Sequence, residues 1–358
     1  RANSDLRRLG GHLEPATRQR ERLRASRRRE IQRPRAHQVH CTAGSELEAD
    51  ALPDLGHACG HNLIAAMSAG AAIAVDRMLK EAAMRGTVML IGTPAEEKGG
   101  GKVKLVNEGC FEGIDCAVMV HPASSTWVED ITLASTRLVL TYAGKPAHAA
   151  AAPWHGANAL EAVIQTFNQV NALRCQLRDL SRINGIITKG GTAVNIIPEL
   201  AEASFGIRAA NRKYLDELVE KVGACARNAA ASMGVSVDIV RMGQGYDAMM
   251  NNPVMEELMA ANFRALGEDV TPYSEKIGLS SSDMGNVTRV LPGAQCYVKV
   301  KDDIKPHTAE FSEACVGENA KRALLVGAKA MAMTAIDIFC EPTFLSNMRD
   351  AYRKQIEA

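Results

Sequence analysis

The sequence predicts an α/β protein interrupted by an inserted α+β unit. On both flanks of the chain, short apolar strands alternate with long helical stretches rich in Ala and Met. The middle third switches to a β-α-β-β-α-β order, the pattern of a small sheet backed by two helices. Residue types that bind metals stand at the ends of flanking strands, far apart in sequence. One domain inserted into another reconciles that separation with a single site.

Each element has a local reason. Leu63 to Ala83 carries apolar residues at helical spacing, and Gly86 closes it. Thr87 to Gly92 is a short apolar run, expected to be a buried strand that leads into Pro94-Ala95-Glu96-Glu97. Asp115 to Val120 repeats that design, with His121 at its carboxyl end. Ile131 to Ala143 reads as a β-branched strand, followed by a helix from Asn158 to about Leu177. Gly185 to Ile197 reads as a strand pair interrupted by Gly190-Gly191, and Leu200 to Ala209 as another strand. A helix over Lys213 to Met233 and a strand over Val235 to Arg241 complete the insertion. The flanking pattern then resumes with a helix at Pro253–Leu266, a strand at Gln295–Val300 and one long helix near Ser312–Phe339. The expected boundaries are residues 46–129 and 244–358 for the outer domain and 130–243 for the insertion.

Composition narrows the function. The 358 residues are 46% apolar but only 4% aromatic, so the core must be built from aliphatic side chains and Met. No uninterrupted apolar run of about 18 residues occurs, and a membrane span is not expected. A net charge of +1 argues against bulk attraction to nucleic acid or an anionic membrane. Nine dispersed cysteines without a C-x-x-C pair fit reduced thiols in the cytoplasm. Residues 1–40 are unlike the rest, with twelve Arg and no Lys. A solvated, disordered tail is the expected state of this segment. Its four acids weaken a transit-peptide reading, and the lack of interleaved aromatics weakens a nucleic-acid patch.

Four short stretches carry chemistry. Cys59 and His61 stand two apart in a turn bracketed by Gly56 and Gly60. Alone they fit a buried Cys with a capping His, or a thiol nucleophile with its base, as well as a pair of metal ligands. Glu96-Glu97 after an apolar strand allows one carboxylate to bind metal while its neighbour takes a proton from water. The following Gly99-Gly100-Gly101-Lys102 is not a phosphate loop, because Glu96 and Val103 occupy positions that motif needs as Gly and Ser or Thr. His121 before Pro122 and His307 after Pro306 are single histidines that gain meaning from the rest. A thiolate, three imidazoles and a carboxylate suit borderline-soft divalent metals. Within the insertion, His148 is placed to reach a substrate, and Arg208 at a strand end suits a carboxylate clamp or an ordinary ion pair. His57 and His155 read as structural.

Assembled, these stretches resemble the M20 metallopeptidase family in its amidohydrolase-like branch. The resemblance runs from Asp50-Ala51-Leu52-Pro53 and His57-Ala58-Cys59-Gly60-His61-Asn62 through Pro94-Ala95-Glu96-Glu97 and His121-Pro122. It continues through Ala147-His148, Asn195-Ile196-Ile197-Pro198 and Asp283-Met284-Gly285-Asn286-Val287 to His307-Thr308, covering about residues 46 to 358. It implies a zinc-peptidase-like catalytic domain with an inserted α+β lid and dimerisation domain. By motif, Cys59, His61, Glu97, His121 and His307 would hold two divalent ions, zinc or manganese. Glu96 would be the general base, and Asp50 would orient a ligand from behind. His148 would stabilise the oxyanion from the partner subunit's lid, while Asn195 and Arg208 would bind the substrate's carboxylate end. The implied substrates are dipeptides of the β-alanyl-lysine type or N-acyl amino acids.

The front of the chain departs from the family. Residues 1–45 show neither the opening helix nor the strands that lead to the Asp50 motif, and look like translated non-coding or frame-shifted sequence. If that segment is genuine, the expectation is a catalytic sheet short of a strand or two, with an unpaired edge. The sequence thus leads to a cytoplasmic, homodimeric metal-dependent dipeptidase. Competing expectations are an N-acyl-amino-acid amidohydrolase, a hydrolase with Cys59 as nucleophile, and a catalytically impaired scaffold.

Overall fold

The computed structural model describes residues 56–272 and 280–357. The Arg-rich segment 1–45 and Asp50 lie outside the described residues.

The flanking unit is built on helix α1 (His61–Glu81), which Gly60 starts in the left-handed conformation at φ 68°. Its residues Leu63, Met67, Ala71, Val75 and Leu79 form one buried stripe at helical spacing. Two short helices, α2 (Glu96–Gly99) and α3 (Gly101–Asn107), precede strand β1 (Ala117–Ala123). Much later in the chain come helix α6 (Pro253–Ala265), short α7 (Met284–Thr288), strand β8 (Gly293–Lys299), and helices α8 (Ala309–Ala314), α9 (Gly317–Cys340) and α10 (Pro342–Glu357). Strands β1 and β8 pair in parallel, with His121 opposite Tyr297. The α1 stripe packs in one core with Val120, Val298, Met259, Phe263 and the small residues Ala323, Ala330 and Ala332 of α9. Helices α1 and α9 approach closely, and a Cβ on Gly327 would stand 2.2 Å from the Met67 sulfur. Both are long and apolar enough to cross a bilayer by length and composition alone. Here their buried faces meet each other and β1 instead.

The middle of the chain forms a separate core. Strands β2 (Ala134–Ala143), β4 (Arg182–Lys189), β6 (Leu200–Ala209) and β7 (Ser236–Tyr246) make an antiparallel sheet in the order β4-β6-β2-β7. Helices α4 (Ala159–Arg174) and α5 (Arg212–Met233) cover one face. Asn158 and Asn211 cap them by accepting from backbone N–H groups of their first turns, and Gly234 closes α5 at φ 65°. Leu138, Leu140, Tyr142, Phe205 and Ile207 point inward at alternate positions and are buried. A small ladder of β3 (Ala147–His148) and β5 (Ile196–Ile197) projects from this unit.

Several expectations need correction. Thr87 to Gly92 is not a strand, and Met89 and Leu90 are exposed. An apolar run becomes a strand only where a neighbour supplies ladder partners; among the described residues the β1 sheet has two strands, and neither pairs with it. Gly185 to Ile197 does not form a mutual pair, because β4 joins β6 and β5 joins β3. The long C-terminal helix is two, since Val316 is extended between α8 and α9 and Gly317, the first residue of α9, adopts φ 83°. Strand β7 runs to Tyr246, past the expected boundary at 243.

The rings of Phe205 and Phe167 meet at 4.7 Å between centroids inside the sheet-and-helix core. Phe205→Ala should cost about 3–5 kcal/mol in denaturant unfolding of that unit. The unfolding midpoint followed by circular dichroism checks it.

Candidate metal centre

Three turns and a strand end bring the site together. The Cys59-Gly60-His61 turn lies against the end of β1: a Cβ on Gly60 would stand 2.3 Å from Pro122 Cγ. Only glycine satisfies both that contact and the left-handed φ. The His307 loop docks on the same turn, with the His307 backbone N–H donating to Ala58 O at 2.7 Å. His307 itself adopts φ 65°, uncommon for a side chain of its size. Across the site, Ala95 at φ 62° turns the chain into α2, so that Glu96 and Glu97 open the helix. Gly101 lets α3 start against that turn, since a Cβ there would meet Pro94 O at 1.7 Å.

The side chains converge accordingly. Donor atoms of Cys59, His61 and His121 lie within 4.8 Å of one another. So do those of Cys59, Glu97 and His307, and those of His61, Glu96 and Glu97. Cys59, His61 and Glu97 each belong to two groups, an arrangement suited to adjoining cation positions. Cys59 Sγ is 3.5 Å from His121 Nε2. Glu97 Oε1 is 3.1 Å from His307 Nε2 and 3.7 Å from His61 Nε2. His121 Nδ1 lies 2.7 Å from Pro122 O, which can only accept, so Nδ1 carries the proton and Nε2 presents its lone pair to the cluster. Desolvation by burial holds His61 near pKa 3 and His121 near 4, so both are neutral at physiological pH, as ligands must be. The donor set fits divalent metal on its chemistry: soft thiolate, neutral imidazoles and carboxylates within one ion's reach.

Glu96 stands apart in role. Burial pushes its carboxyl up to about 7, helped by the neighbouring Asp283 and Glu97 charges and opposed by Lys102 and a hydrogen bond from Ser282. A carboxyl poised there can both take and return a proton. Next to it, Lys102 Nζ pairs with Asp283 Oδ1 at 2.7 Å, and the Lys102 backbone N–H donates to Asp283 Oδ2 at 2.9 Å. Both side chains are almost wholly buried. From the sequence, Lys102 reads only as a failed phosphate-loop lysine. Its place between Gly101 and Val103, at the start of α3, was the available signal.

The insertion's candidate residues sit elsewhere. His148 is exposed, and its Nδ1 accepts from the Ala150 and Ala151 N–H groups at 3.3 and 3.1 Å. The proton of the neutral ring is therefore on Nε2, free to donate. Ala149 N–H donates to Asn195 O, so His148 and Asn195 share one loop cluster on the insertion. His148 belongs to none of the three donor groups. Arg208 reaches the outer domain instead, donating to Ser281 Oγ at 3.2 Å, one residue from the Ser282 that bonds Glu96.

Comparison with known proteins identifies the family. The profile of peptidase family M20/M25/M40 matches residues 48–335. A Mus musculus Xaa-Arg dipeptidase is 38% identical over 328 residues, covering 90% of this chain and 75% of the relative. A Homo sapiens Xaa-Arg dipeptidase is 36% identical over 315 residues, covering 87% and 72%. The fold is that of a Bacillus subtilis dinuclear metal binding peptidase of the M20 family, with a TM-score of 0.63 at 18% identity over 84% of this chain and 79% of that one. This chain belongs to peptidase family M20/M25/M40.

The Lys102–Asp283 pair makes a direct prediction. Lys102→Met leaves a buried carboxylate uncompensated and should destabilise the outer domain by about 3–5 kcal/mol. Adding Asp283→Leu should recover part of that loss, as measured by denaturant unfolding of both variants.

Proposed function

We propose that this chain hydrolyses the amide bond of dipeptides with a basic C-terminal residue, as a metal-dependent peptidase of the M20 type. The observation that carries the reading is the pair of donor groups sharing Cys59, with Glu96 alongside. Kinship with two Xaa-Arg dipeptidases supports the substrate class. Cys59, His61, Glu97, His121 and His307 would hold two ions, zinc or manganese as the family resemblance implies. Bound there, the ions supply Lewis acidity at the amide carbonyl and a more acidic water.

The chain's own residues do the remaining work. Glu96 takes a proton from the attacking water and passes it to the leaving amine, which its position and raised pKa suit. His148 donates its Nε2–H to the developing oxyanion. Arg208 and Asn195 hold the substrate's carboxylate, with Arg208 already reaching across to the outer domain at Ser281. As the family resemblance implies, His148 would be contributed by a second copy of the chain. The insertion then serves as both lid and dimer surface, and the active species is a homodimer. N-acyl amino acids would meet the same centre and differ only in the acyl pocket, so the two classes are assayed side by side.

Glu96→Gln should abolish turnover of β-alanyl and basic dipeptides while leaving metal content unchanged. Elemental analysis alongside a product assay reads both; substantial remaining turnover would remove Glu96 from the base role.

A further inference from the structure

The strand that leaves the insertion ends in an irregularity aimed at the metal centre. Against β2, Arg137 pairs with Met242 but Ser135 pairs with Tyr246, so residues 243–245 bulge out of the ladder. Gly243 and Gly245 make the bulge possible at φ 65° and 72°, and a Cβ on Gly245 would stand 2.6 Å from Ser135 O. Bulges of this kind re-aim the side chain that follows them. Here that side chain is Tyr246, and it points into the Glu96–Gly100 turn. Its hydroxyl donates to Glu96 O. The Gly100 amide bonds back to the hydroxyl oxygen, and the ring lies against Gly100, where a Cβ would be 3.2 Å from Cε1. One phenol thus spans both ends of the turn that carries Glu96 and Glu97.

Other contacts show what Tyr246 is attached to. The next residue, Asp247, pairs with Arg212 at the start of α5 and accepts from the Asn286 amide in the outer domain. The outgoing chain is tied beside it: Leu133 N–H donates to Ser280 O, and Ser281 Oγ donates to Leu133 O. Tyr246 therefore stands where the chain crosses between the two units. At the far end of the turn, the Asp283 carboxylate holds the Lys102 amide at 2.9 Å. One end of the turn is fixed to the outer domain, and the other is fixed to the hinge. The turn itself begins at Ala95, held at φ 62° in a conformation that costs energy without such support.

We infer that Tyr246 is a positioning residue that couples the orientation of the inserted unit to the placement of Glu96 and Glu97. This deepens the reading of Glu96 as the base and rests on it. With the phenol bonded, the turn is held for proton transfer. When the insertion swings and withdraws the hydroxyl, the turn loosens and the base leaves its working position. Misplacement by about an ångström lowers chemical rates on the order of a hundredfold, so a device of this size matters.

The test compares wild type with Tyr246→Phe, which keeps the ring and removes the hydroxyl. Amide hydrogen exchange is read at Gly99 and Gly100, and kinetics are read on a basic dipeptide with both ions bound. The expected result is exchange at least tenfold faster at those amides, with helices α4 and α5 unchanged. Alongside it, kcat should fall on the order of tenfold to a hundredfold with KM within about twofold and metal content unaltered. Gly243→Ala, which keeps the phenol but strains the bulge, should shift both readouts the same way by less, and stands in if Tyr246→Phe folds poorly. Unchanged exchange at Gly99 and Gly100, or an unchanged kcat, overturns the inference. Should wild type cleave no dipeptide, the functional reading fails, while the exchange comparison still decides whether Tyr246 holds the turn.

Discussion

One backbone hydrogen bond closes the site across most of the chain: His307 N–H to Ala58 O, at 2.7 Å. It joins the turn that supplies Cys59 and His61 to the loop that supplies His307, although the whole inserted unit lies between them in sequence. Beside it, Gly60 lets the Cys59 turn press against Pro122, the residue after His121. That contact sets the Cys59–His121 approach, and His307 in turn reaches Glu97. Three of the four ligand-bearing stretches are thus fixed by backbone packing around one small turn, and side-chain flexibility plays little part in placing them.

The fourth stretch, the Glu96–Glu97 turn, is secured differently. A buried cation and a buried carboxylate, Lys102 and Asp283, meet beneath it at 2.7 Å. A buried pair of this kind is a poor source of net stability, since desolvation offsets most of the attraction. Its effect here is geometric: the same carboxylate also holds the Lys102 amide, so the start of α3 cannot drift from the Ser282–Asp283 segment. The electrostatic surroundings divide the labour as well. Burial keeps His61 and His121 neutral and able to donate lone pairs, while the same burial beside other acids holds Glu96 up near 7, where it can exchange protons.

Much of this was legible in the sequence, for identifiable reasons. The helix around Leu63 to Leu79 shows itself because its buried residues recur at helical spacing. The ligand stretches show themselves because chemically specific residues stand beside Gly and Pro at turns. What stayed hidden depends on distant partners. Apolarity alone made Thr87–Gly92 look like a strand, but no ladder partner stands beside it among the described residues. Lys102 looked like a failed phosphate loop because Asp283, which explains it, is far along the chain. Tyr246 gave no signal, since its direction is set by a bulge whose register only the paired β2 defines. A role for His148 from a second copy came only from family resemblance, because spacing in sequence cannot say which copy of a chain a loop will serve.

Cys59, His61, Glu97, His121 and His307 are proposed to hold two ions together. Elemental analysis of protein purified without added metal should then find about two zinc or manganese per chain, lost when Cys59 and His307 are replaced by alanine. A folded protein that carries no metal and takes up none when it is supplied would contradict it.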